Sequence, residues 1–158
     1  MNFSTAGFRR LFEHNRKFIN PVADSLLTVN WERLCNDKIC GLGSLRELVV
    51  HTFRAEDFWL TKVMEGKQLE TYKGIDFQDV PSLARKWEAV IDRSLFRIDS
   101  FTAEDLTESR TYNWGDGDHT FRVDDILLHV YTHTVHHRGQ MIMGVRQLGG
   151  HPKEVDIL

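Results

Sequence analysis

The stretch HVYTHTVHHRGQ, His129 to Gln140, carries four of the chain's eight histidines. Imidazole titrates near neutrality and is a common metal ligand, so this density raises the question of what the stretch binds. Its periodicity is helical, and an α-helix turns about 100° per residue. With Ile126 set at zero, Val130 and Leu148 fall at about 40° and Met141 at about 60°, which centres the core-facing stripe at about 40°. His137 then falls at about 20° and His133 at about −20°, whereas His129 and His136 fall at about −60° and −80°, on the flank or in solvent.

His133 and His137 are four residues apart, and side chains at i and i+4 of a helix stack on one face. The pair has the spacing of zinc-binding HExxH helices, yet Thr134 rather than Glu follows His133, so the helix brings no general base of its own. The residues alone leave two readings open: half of a metal site, or two polar groups satisfied at the margin of a core. A metal needs at least a third protein ligand. The best candidate is His51, in VVHTFRAEDFWL, next to the apolar stripe of another long helix. His14 and His119 compete for the role. His14 lies among Glu13, Asn15 and Arg16, a surface setting, and His119 stands at the exit of a hairpin, close to a site mouth. His151 belongs to the tail. Glu56 lies one turn from Thr52 and from Trp59 on the inward side of the His51 helix. Its carboxylate must be paired there, orienting an imidazole or meeting an arginine, and the structural pairing is the favoured reading. Arg138 is the partner expected for such a carboxylate, or for an anionic substrate.

Four long amphipathic elements must position these groups. The first runs over about residues 4–28, with Pro21 predicting a kink or restart. The second starts at Ser44, N-cap of the capping-box sequence SLRE, carries Leu45, Leu48, Val49, Thr52, Ala55, Trp59 and Val63 inward, and stops near Gly66. The third starts near Pro81. The fourth starts near Val123, with Asp124 and Asp125 at its positive end, and ends at GGHP. Before it, TYNWGDGDHTF carries Asp116-Gly117 between apolar residues, a hairpin signal spanning Tyr112 to Phe121. The predicted fold class is all-α: a single domain over residues 1–158, a four-helix bundle with a small β-hairpin before the last helix.

Lys and Arg total 20 against 23 Asp and Glu, a formal charge of −3, which argues against a nucleic-acid binder working by phosphate neutralisation. No apolar run of membrane-spanning length occurs, and the N-terminal stretch lacks the apolar core of a signal peptide. Cys35 and Cys40 do not form a CxxC pair. Two reduced thiols in a cytoplasmic protein are the expectation.

A histidine in the second helix followed by an acidic and aromatic run (HTFRAEDFWL), then HxxxHHRGQ and a closing GVRQLGGHPKEVD, resembles the DinB/YfiT superfamily of metalloenzymes over essentially the whole chain. The resemblance implies up-down-down-up connectivity with a long crossover, a divalent metal held by His51, His133 and His137, and a homodimer. Some relatives are thiol-dependent transferases or hydrolases. For this chain the leading expectation is a metal-dependent enzyme acting on a small molecule, with a low-molecular-weight thiol as partner. The alternative is a non-enzymatic stress-response dimer or binding module with a structural metal. Imidazole suits several divalent metals, so the sequence does not decide among zinc, nickel, iron and manganese.

Overall fold

The computed structural model describes residues 3–39, 41 and 43–155; Cys40 lies outside them. Helix α1 (Thr5–Lys17) starts at Ser4, whose hydroxyl accepts from the Gly7 amide at 3.1 Å. The break expected at Pro21 falls earlier, at Phe18, and α2 (Ile19–Leu26) follows. Proline cannot donate to the carbonyl four residues upstream, here that of Lys17, and its ring crowds it. As the third residue of a new helix, Pro21 needs no such partner. Helix α3 (Trp31–Asn36), capped by Asn30, is too short to have shown a period in the sequence.

Helix α4 (Leu45–Asp57) is capped by Ser44, which accepts from the Glu47 amide at 3.4 Å. The Glu47 carboxylate turns toward Gly74 and Arg46 instead of closing the expected capping box. The chain then widens into a π-helical turn over Phe58–Val63, and Gly66, at φ +65°, ends the run. A π turn inserts an extra residue into the helical phase, and Trp59 is thereby only half-buried rather than in the core stripe. Helix α5 (Val80–Asp99) has Asp79 as its N-cap, with reciprocal bonds to Ser82. Strands β1 (Ser109–Asn113) and β2 (Asp118–Arg122) pair antiparallel from Ser109↔Arg122 to Asn113↔Asp118. Their connection is the four-residue loop 114–117, wider than a two-residue Asp-Gly turn. Helix α6 (Val123–Gln147) leaves β2 directly, and the Val123 amide donates to the Glu108 carbonyl at 2.9 Å, fixing the hairpin base to the helix start.

The long helices share one apolar core. Helices α4 and α1 each pack against both α5 and α6, while α2 packs on α5 and α6. Phe8 and Phe12 of α1, Phe53 of α4, Ile91 of α5, and Leu127 and Met141 of α6 are fully or almost fully buried there. Among the described residues, no helix is long and apolar enough to cross a membrane.

Candidate metal centre

His51 lies mid-way along α4, between the buried residues Leu48 and Thr52 that pack into the core. His133 and His137 lie mid-way along α6, bracketed by buried Val130 and Met141. Because α4 packs on α6, the three imidazoles meet. His133 Nε2 is 3.2 Å from His51 Nε2 and 3.0 Å from His137 Nε2. One donor nitrogen from each residue lies within 4.8 Å of the other two, close enough to hold one ion. His137 is buried, and His51 and His133 are half-buried, so the cluster opens to one side.

Hydrogen-bond chemistry fits a cation better than it fits three bare rings. The amide oxygen of Gln140, which can only accept, lies 2.6 Å from His137 Nδ1. That contact places the proton on Nδ1 and leaves the His137 Nε2 lone pair facing the cluster. His133 Nε2 carries either one proton or one lone pair, so it cannot make good hydrogen bonds to both neighbouring Nε2 atoms. A shared cation satisfies three lone pairs at once. Burial keeps the rings in the ligand form. It pushes His133 down to about 3, helped by the positive charge its histidine neighbours would carry. Burial likewise lowers His51, followed by His137 and Arg54. It lowers His137 too, against the opposing bond to Gln140.

The remaining histidines are outside this three-nitrogen group, although the His136 ring lies 5.1 Å from that of His137 and the His129 ring 5.8 Å from that of His133. His136 and His129 are exposed. His119 is exposed on β2, 3.1 Å from Asp116, with its ring beside Trp114 and Phe121. His151 is exposed beyond α6. His14 corrects the surface reading. Both its ring nitrogens are buried without a hydrogen-bond partner among the described residues, and its ring meets Phe18 edge-on and approaches Tyr131. Helix α1 packs against both α5 and α6, so its buried arc is wider than a single apolar stripe suggests.

Glu56 is fully buried, as its phase on α4 predicts, but its partner is Ser94 of α5, whose hydroxyl donates to Oε1 at 2.6 Å. Oε2 has no partner among the described residues. Burial raises this carboxyl to about 7, against the Ser94 bond. The expected pairing with Arg138 is not formed: Arg138 is buried on α6 with its guanidinium 4.2 Å above the Phe18 ring, toward α1. Glu56 and Arg138 sit on helix faces directed at different neighbours. Gln140 was not singled out from the sequence, although its place three residues after His137, one helical turn on, marks it as a neighbour of that ring.

The helices, the hairpin and the converging histidines define a class of helical protein with a candidate three-imidazole centre. Within that class the chain belongs to the DinB family, whose sequence pattern matches residues 1–158. Solved structures share the fold, two DinB-like proteins among them. A DinB-like protein from Bacillus cereus is 18% identical, with a TM-score of 0.71 over 99% of this chain and 100% of that one. A DinB-like protein, YjoA, from Bacillus subtilis is also 18% identical, with a TM-score of 0.65 over 91% of this chain and 94% of that one. No curated protein matches the sequence.

Proposed function

We propose that this protein is a divalent-metal-dependent enzyme whose ion is held by His51, His133 and His137, and that it catalyses thiol-dependent S-transfer or hydrolysis on a small molecule. The observation that supports this most is the meeting of three Nε2 atoms, from two helices, whose contacts cannot all be hydrogen bonds. Three neutral imidazoles leave an ion its full charge and room for a further ligand. The chemistry such an ion supplies is acidification of a bound water or thiol.

The chain's own residues limit the reaction. Gln140 fixes the His137 tautomer and ring orientation. Half-buried His51 and His133 leave the solvent side of the cluster open to a substrate. Thr134 stands where an HExxH helix has its glutamate, so α6 brings no carboxylate beside the ligands to act as a base. That favours thiol transfer, in which the sulfur is activated by a lowered pKa rather than by a neighbouring base. Homodimerisation, up-down-down-up connectivity and a low-molecular-weight thiol partner are supported by the family likeness. Light scattering tests the dimer.

Cobalt substitution tests the function. Addition of a small thiol to the cobalt protein is expected to produce a sulfur-to-metal charge-transfer band, weakened or lost in His51→Ala. A cobalt protein that ignores thiols overturns S-transfer and leaves a structural metal as the better reading.

A further inference from the structure

One turn beyond the triad, toward the N-terminus of α6, lies a cavity of about 460 Å³ lined by Trp59, Trp114, Phe121, Asp125, Ile126 and His129. That volume is in the range of small-molecule sites. Its aromatic walls come from three separate elements: the π turn after α4, the hairpin loop and β2. Trp59 stands at 64° to Trp114 and at 89° to Phe121, and Trp114 at 86° to Phe121, with centroids 5.4 to 5.8 Å apart. Three rings at steep angles form a corner rather than a stacked slab. The His129 ring joins it, 5.1 Å from Trp59, and lies 5.8 Å from the His133 ring on the other side.

The charge at this corner is one-sided. Asp124 takes the Arg122 guanidinium through both oxygens, at 3.0 and 2.7 Å. Asp125 is exposed, lines the cavity, and its carboxylate makes no hydrogen bond or ion pair among the described residues, although its charge is felt by Arg122. Aromatic faces attract cations through their quadrupole, and alkylated ammonium groups suit such cages because they also bury apolar surface. A carboxylate at the rim adds attraction for the same charge.

We infer that this aromatic corner, with Asp125 at its rim, binds the alkylated ammonium head of a small organic cation. Asp125, His129 and His133 follow one another at successive turns of one α6 face, and Asp125 and His133 are separated by about 12 Å along the helix. A ligand of that length spans from the corner to the histidine cluster. Reaction of its far end at the cluster rests on the metal reading above; the ammonium site does not.

The test measures methyl-proton line broadening of choline and of its uncharged carbon isostere, 3,3-dimethyl-1-butanol, with the full-length protein as purified and after chelator treatment. Choline is expected to bind at least about fivefold more tightly than the alcohol. Asp125→Asn is expected to remove most of that preference while leaving the alcohol's affinity unchanged, and Trp114→Ala to weaken choline binding. Binding should survive the chelator. Equal affinity for the two probes, or indifference of choline to Asp125→Asn, overturns the proposal. Choline binding by a protein that takes up no metal leaves the ammonium site standing and removes the metal reading. Metal uptake without choline binding does the reverse.

Discussion

The Nδ1 of His137 and the Oε1 of Gln140 lie 2.6 Å apart on one turn of α6, and this contact aims the opposite ring nitrogen at His133, 3.0 Å away. An outer partner of this kind sets both the tautomer and the basicity of a liganding imidazole. Gln140→Leu, which keeps the bulk and removes the acceptor, is expected to lower metal affinity by about 10- to 100-fold. Gln140→Glu, which keeps an acceptor, should retain it. Competition with a chelating dye measures both.

Acid sensitivity of the metal-free protein follows from the triad. His133 is pushed from 6.5 down to about 3, chiefly by burial. The unfolded chain therefore takes up a proton at this group before the folded one does, and stability is lost as the pH falls from about 6.5 toward 3. Thermal melts of chelated protein across this window should show the loss. His133→Ala should have a shallower slope there, and an equal slope would mean that the cluster does not titrate this way.

Glu56 works in the opposite direction. Its carboxyl is raised from 4.5 to about 7 by burial. The folded state holds this proton after the unfolded state has released it, so the contribution is fully present below pH 4.5 and is lost as the pH rises through about 7. Glu56→Gln cannot ionise and should be the more stable protein above pH 7, by on the order of 3 kcal/mol, with little difference below pH 4.5. Urea unfolding at the two pH values decides it.

Gly144 tests how α6 is seated. A Cβ there would collide with Ile39 Cδ1 and come within 2.9 Å of Leu45 Cδ2. Gly144→Ala is expected to cost about 1–3 kcal/mol through overpacking, despite alanine's better helix propensity. A variant as stable as the parent would mean that the Ile39 segment yields freely.

The long helices and the hairpin were legible because amphipathic periods, Ser44, Pro81 and the Asp116-Gly117 signal are local, whereas six-residue α3 is too short to show a period. The grouping of His133 with His137 was legible for the same reason, since four residues on one helix fix a shared face. His51 stood out in the sequence as the best third candidate, beside the apolar stripe of its own helix, but His14 and His119 competed until the family likeness chose it, because the packing of α4 on α6 is a tertiary fact. The break at Phe18 was displaced from the proline that causes it, since proline acts on the carbonyl four residues back. The π turn over Phe58–Val63 leaves no composition signal, so Trp59 read as core. The partners of Glu56, Arg138 and His14 depended on which helix each face meets, which periodicity does not say.

The proposed function requires that His51, His133 and His137 together hold one divalent ion. Elemental analysis of gently purified protein, set beside His51→Ala, His133→Ala, His137→Ala and the exposed-site control His136→Ala, tests it most directly. The expected result is close to one equivalent of a first-row divalent metal in the parent and in His136→Ala, with content collapsing in each of the other three while their helical circular dichroism is retained. Metal retained in His137→Ala, lost in His136→Ala, or absent from a folded parent that also fails to take up zinc, nickel, iron or manganese would contradict it.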